Sequence, residues 1–74
     1  MYLERGRLMD KTIVIGVRIG EKGNYVRFVY DYYTHNIRFD NGRLMVWNII
    51  TNEARLLVPE SNVLFVETGE TDGQ

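Results

Sequence analysis

Asn41-Gly42 lies between two runs of alternating apolar and polar residues, and this arrangement constrains the fold more than any other feature of the chain. Both residues tolerate positive φ, and a two-residue hairpin loop of the I′ type needs positive φ at both central positions. Ile37-Arg38-Phe39 therefore runs into the turn, and Arg43 to Ile50 runs out of it as its antiparallel neighbour. Successive side chains of a strand point to opposite faces. Leu44 and Val46 thus share one face, and Met45, Trp47 and Ile49 share the other. Trp47, mid-strand between Val46 and Ile49, is expected in the core.

The rest of the chain shows the same punctuation. Thr12 to Ile19 is β-branched and alternates, with Ile13, Ile15, Val17 and Ile19 on one face and Gly16 and Arg18 on the other. Gly20 to Asn24 is a glycine-rich turn, and Tyr25 to Tyr30 reads as the next strand, its apolar face formed by Val26, Phe28 and Tyr30. Asp31 to Asn36 either extends that strand or forms a loop. Beyond the hairpin, Thr51-Asn52 turns the chain into a strand over Glu53 to Val58. Pro59 lacks a ladder donor and ends it, and Val58-Pro59-Glu60-Ser61 fits a type I turn with proline in its favoured second position. Asn62 to Glu67 is a last short strand. Residues 1–10 have no clear period and allow a short N-terminal helical turn or an extra strand. The reading is all-β: five or six antiparallel strands at close spacing suggest a small, strongly bent barrel or sandwich, with the barrel preferred, spanning residues 1–67 and followed by a flexible acidic tail over 68–74. Its expected core is Ile13, Ile15, Phe28, Leu44 or Val46, Leu56, and Val63 or Leu64.

A chain of 74 residues makes one small domain, and a core of that size contributes about 3–5 kcal/mol of net stability. With no cysteine and a single histidine, His35, neither disulfides nor a zinc finger can reinforce it. Self-association or an unusually efficient core remains, and Val63-Leu64-Phe65-Val66, apolar on both faces, is the strand expected to provide the former. The N-terminus carries Glu4, Arg5, Arg7 and Asp10 where a signal peptide would have an apolar run, and the longest apolar stretches are too short to span a bilayer. A cytoplasmic protein with no membrane partner is the expectation. Ten acidic residues less Glu67, Glu70 and Asp72 leave seven before the tail, against nine basic residues, seven of them arginine. Arginine suits bidentate contact with carboxylate or phosphate.

Two fragments resemble the SH3 domain. Tyr30-Asp31-Tyr32 is similar to the aromatic-acidic strip of the SH3 peptide groove, and Pro59-Glu60-Ser61-Asn62-Val63 to the element before its last strand. The resemblance implies an SH3-like barrel and, for true members, recognition of proline-rich peptides through those aromatics. Sm-like and OB-like barrels share the same rhythm of strands and turns.

Catalytic chemistry finds little support. Gly16, Gly20 and Gly23 lack the spacing and the following helix of a phosphate-binding loop. Ser61, the one serine, sits in a proline-led turn with no neighbouring base. Asp31 and Asp40 are turn residues first, and joining them with His35 in a metal site would require three convergent ligands. No catalytic residue, metal or cofactor is expected.

Binding signals are stronger. Tyr30, Tyr32, Tyr33, His35 and Asn36 crowd into seven positions, and tyrosine is enriched at interface hot spots. Tyr30 and one of Tyr32 or Tyr33 could equally pack into the barrel. Alternation prevents Tyr32 and Tyr33 from being buried on one face, so at least one is exposed. A second surface would form if Arg18, Arg27, Arg38, Arg43 and Arg55 converged with Tyr25 into a basic aromatic face for nucleic acid. The plainer reading of these arginines is a solubilising face with cross-strand pairs to Glu53 or Glu21. The sequence thus points to a non-enzymatic protein-binding or assembly module, a regulator, inhibitor or subunit of a larger partner that is itself able to self-associate. The alternative is a small-barrel nucleic-acid-binding protein using the arginine face.

Overall fold

The computed structural model describes residues 10–71, so the helical turn or extra strand expected near the N-terminus falls on residues 1–9, outside the described residues. Six strands follow one another: β1 (Asp10–Arg18), β2 (Tyr25–Asp31), β3 (His35–Asp40), β4 (Arg43–Asn48), β5 (Glu53–Pro59) and β6 (Val63–Thr71). A 3-10 turn, Glu60–Asn62, joins the last two, and no α-helix occurs among the described residues. The strands form two antiparallel sheets in the orders β2-β1-β6 and β3-β4-β5.

The chain is all-β as expected, but the sheets are not closed into a barrel: among the described residues no ladder joins one sheet to the other. Closure would need strands that bend from one sheet into the next. Here the 3-10 turn separates β5 from β6, and a tight turn at residues 32–34 carries the chain from β2 to β3. Each crossing is made by a turn that cannot carry a ladder.

The central strand of each sheet supplies the core. Ile13, Ile15 and Val17 of β1 face Leu44 and Val46 of β4, and Ile15, Leu44 and Val46 are completely buried. Phe28, Tyr30, Ile37, Leu56, Val58, Val63 and Val66 close around them from the flanking strands. Both Leu44 and Val46 are therefore core, and the outward face of β4 carries Met45 and Trp47. Trp47 is half-buried there, with the Arg38 guanidinium 5.5 Å from its ring centre, rather than in the core. Val63 is chosen over Leu64 because the β1–β6 register slips between Gly16 and Val17. Gly16 pairs with Phe65 and Val17 with Val63, so Leu64 is the extra residue of a bulge and stays exposed.

The turns refine the element boundaries. Asn41 and Gly42 take φ of 55° and 75°, as the I′ hairpin requires. β4 stops at Asn48, short of Ile50, because the Asn48 side-chain oxygen accepts the backbone N–H groups of Ile50 at 2.8 Å and Thr51 at 3.0 Å. Pro59 has ψ 139°, so it is the last extended residue of β5 rather than the second residue of a type I turn. The following Glu60 donates its N–H to the Gly42 carbonyl at 2.8 Å, tying the 3-10 turn to the hairpin tip. Residues 68–71, assigned to a tail by their polar composition, belong to β6, where Gly69, Glu70 and Thr71 pair with Thr12, Lys11 and Asp10. Backbone partners on β1 make this segment a strand although its side chains give no such signal.

Gly16 is needed for space. A Cβ there would fall within 2.8 Å of three adjacent carbons of the Phe65 ring. Three neighbouring carbons at such range mean that the ring lies face-down on the glycine, covering the outward side of the central strand. Gly16→Val should therefore lose about 1–3 kcal/mol to overpacking, although the position lies on the outward face. Ile15→Ala should cost about 2–5 kcal/mol. Urea melts at equilibrium check both, and a Gly16→Val midpoint equal to that of the parent protein would show that Phe65 moves aside freely.

Candidate binding site between the two sheets

The chain crosses from one sheet to the other at Tyr32-Tyr33-Thr34, and Asp31 organises the crossing. Its carboxylate oxygen Oδ2 accepts the Tyr33 backbone N–H and the Thr34 hydroxyl, both at 3.0 Å. Such a side-chain-to-backbone turn is a favoured use of aspartate. The Tyr32 N–H donates to the Lys11 carbonyl and the Ile49 N–H to the Thr34 carbonyl, each at 2.8 Å, so the turn is fastened to both sheets.

His35 follows at the start of β3. Its Nδ1 lies 3.0 Å from Thr34 Oγ1 and 3.1 Å from the Asp31 carbonyl oxygen. The carbonyl can only accept, and the Thr34 hydroxyl hydrogen is already directed at Asp31. Nδ1 is therefore the protonated nitrogen, and in the neutral ring Nε2 keeps its lone pair. The Tyr30 ring packs against His35 at 5.1 Å between centroids.

Tyr32 and Tyr33 meet edge to face at 5.3 Å, and the Lys11 ammonium sits 4.0 Å above the Tyr32 ring. Both rings reach solvent, Tyr33 with 61% of its surface and Tyr32 with 38%. Beside them is a cleft of about 360 Å³ lined by Ile13, Tyr32, His35, Asn36, Ile37 and Thr68. Ile13 and Ile37 provide an apolar floor; the other residues provide a polar and aromatic rim.

Of the residues expected to bind a partner, Tyr32, His35 and Asn36 line the cleft. Tyr33 stands against Tyr32 just outside it, and Tyr30 supports His35 from the core side. Ile13, Ile37 and Thr68 were not expected there. Alternation identifies Ile13 as core, which it also is, Ile37 packs against that core from β3, and nothing local marks Thr68 because the strand pairing of β6 brings it to the cleft. The arginines do not converge. Arg18 and Arg27 share the outward face of β2-β1-β6 with Tyr25, whereas Arg38 and Arg43 lie on the outward face of β3-β4-β5. Arg55 approaches Glu53 at 3.8 Å. A smaller cleft of about 240 Å³ lies beside Arg38, Met45 and Trp47.

Asp31 is occupied in its turn, and Asp40 ends β3 five residues beyond His35, about 16 Å away at strand rise. Among the described residues no group of three or more His, Cys, Asp or Glu side chains could hold a metal ion. Ser61 lies exposed in the 3-10 turn. Among the described residues no helix is long and apolar enough to cross a membrane. No protein-family model, curated protein or solved structure matches the chain.

Burial raises the Tyr30 phenol above its ordinary pKa of 10.0, with the Arg55 charge opposing the shift. A raised folded-state pKa means that this contribution to stability is complete below the unfolded value and is lost as pH climbs through the folded one. Tyr30→Phe should therefore flatten part of the decline in stability above pH 10 without changing its value at neutral pH by the same amount. Thermal melts between neutral pH and about 11 measure it, and an unchanged alkaline slope would deny Tyr30 that role.

Proposed function

We propose that the protein is a non-catalytic binding module, a regulator or subunit that grips a segment of a larger protein partner at the cleft between its sheets. The observation carrying this reading is the meeting of Tyr32, His35 and Asn36 over the apolar floor of Ile13 and Ile37. Small-molecule pockets are typically about 300–1,000 Å³; a cleft at the lower end of that range suits one or two side chains of a docked segment. The apolar floor rewards an aliphatic or aromatic anchor, while His35 and Asn36 offer it hydrogen bonds. Tyr33, held by Tyr32, extends the contact with a ring that loses little freedom on binding. The likeness of Tyr30-Asp31-Tyr32 to an SH3 strip supports an aromatic recognition surface here, and the absence of cysteine suits a cytoplasmic setting. The split of the arginines across opposite faces weighs against one nucleic-acid surface built from all of them.

Tyr33→Ala should weaken the partner by about 2 kcal/mol and leave stability within about 0.5 kcal/mol. The partner is first identified by affinity capture with and without nuclease, and the variant is then compared by calorimetry. Failure to capture any protein that survives nuclease treatment, or an unaltered affinity, would remove the reading.

Self-association is a second, compatible property, favoured by the position of β6 as a nine-residue edge strand. Exposed edge groups are a template for pairing with another chain, and a symmetric β6–β6 contact would join two sheets into one. Sedimentation equilibrium should show a dimer at high micromolar concentration; a clean monomer of the parent protein speaks against it.

A further inference from the structure

We infer that the outward face of β2-β1-β6 is a stacking platform for single-stranded nucleic acid, separate from the protein-binding cleft. The registers of β1 with its neighbours place Arg18 beside Tyr25, and Gly16 between Arg27 and Phe65. These five positions form two adjacent rows on one face. With strands about 4.8 Å apart and same-face residues about 6.6 Å apart along a strand, the two arginines stand close enough to bear on one short stretch of phosphodiester backbone. Phe65 lies face-down on Gly16 and is half-buried, so the solvent it reaches is on the side of the ring away from the glycine. Tyr25 stands against it, centroids 5.7 Å apart and planes at 80°, with 46% of its surface exposed.

Charge and shape select the occupant. Among the described residues the one ion pair is Arg55 with Glu53, so neither Arg18 nor Arg27 has a carboxylate partner there. The acidic residues at outward register positions of these strands, Asp10, Asp31 and Glu67, lie in the rows beyond Val14 and Val29 or level with them, on the side away from Arg18; Glu21, in the turn after β1, makes no ion pair with Arg18 or Arg27 among the described residues. The arginine end thus presents cations next to an outward-facing ring. A peptide segment needs pockets for its side chains, and both described clefts open elsewhere. A base needs only a flat ring to stack on, with a cation nearby for its phosphate, which is the usual composition of sites that hold single strands without reading their sequence. A duplex keeps its base faces stacked inside and cannot use the platform.

The test is fluorescence anisotropy of the full chain with a labelled oligothymidylate of about ten nucleotides, beside a duplex of equal length and a polyglutamate peptide, at about 50 and 200 mM salt. The single strand should bind in preference to both. Phe65→Leu and Tyr25→Ser should each weaken it about tenfold. Arg18→Gln and Arg27→Gln should each lower the slope of log affinity against log salt by about 0.7. Arg43→Gln, on the opposite face, should change nothing. Circular dichroism establishes that each variant is folded; should Phe65→Leu unfold the chain, the exposed Tyr25 and arginine variants carry the decision. Absence of saturable binding at low salt overturns the inference. So does equal binding of duplex or polyglutamate, or loss of binding through the arginines with none through the rings. None of these outcomes touches the cleft, because its residues lie on other surfaces.

Discussion

The packing of β1 against β4 is the contact on which the molecule depends. Each is the middle strand of its sheet, and between them they contribute all five buried hydrophobic residues among the described ones, Ile13, Ile15, Val17, Leu44 and Val46. A three-stranded sheet has one strand with neighbours on both sides, so the deepest burial falls there. The four flanking strands are stabilised by pairing to these two and by half-buried residues such as Phe28, Ile37, Leu56 and Val66. At 74 residues this is close to the smallest core that folds unaided. The smallest principal extent, 13 Å, leaves room for a single layer of side chains between the sheets. There is no deeper layer to absorb a loss at Ile15.

That thinness explains the other features. With one interior layer, every strand has an outward face, and apolar residues there must be covered locally. Phe65 covers β1 by lying across Gly16; an alanine or larger residue at that position would leave no space for the ring. Arg38 covers Trp47. Both devices use long or flat side chains to shield a strand that no further sheet protects, and both leave one side of the shield in solvent. Each outward face therefore carries an aromatic ring that is only partly covered.

The chemistry of the residues determined what could be read in advance. Asn41-Gly42 foretold its hairpin because positive φ is a local demand. The alternation of Ile13, Ile15 and Val17 foretold the central strand because the period belongs to the backbone. Alternation does not say which face is inward, and that is why Trp47 was expected inside: it shares a face with Met45, and the core took Leu44 and Val46 instead. Leu64 and Val63 could not be separated because the bulge at Gly16 depends on pairing between segments some fifty residues apart, and residues 68–71 are a strand only because β1 begins early enough to pair with them. The crowding of tyrosines with His35 and Asn36 was legible in the sequence, and the structure sets Tyr32, His35 and Asn36 along the cleft. Closure of a barrel and convergence of the arginines were questions of how two sheets lie on each other, which no single strand records.

Cleft and core are one structure. Ile13 is 3% exposed and belongs to the buried cluster, yet it is also part of the cleft floor. His35 lines the cleft and packs on Tyr30, which itself lies against the core. The assembled floor and rim exist only when both sheets are in place, so a partner held there binds the folded chain and not the unfolded one. Such a partner adds stability by mass action, about 2.7 kcal/mol at a hundredfold excess over its Kd. For a core expected to give only a few kcal/mol, that is a large fraction of the whole. The outward platform differs in this respect. Phe65 and Tyr25 rest on a strand already held by its own ladder, and a base stacked on them touches none of the five buried residues. Occupation of the cleft therefore couples strongly to folding, and occupation of the platform couples through Phe65 and Gly16 alone.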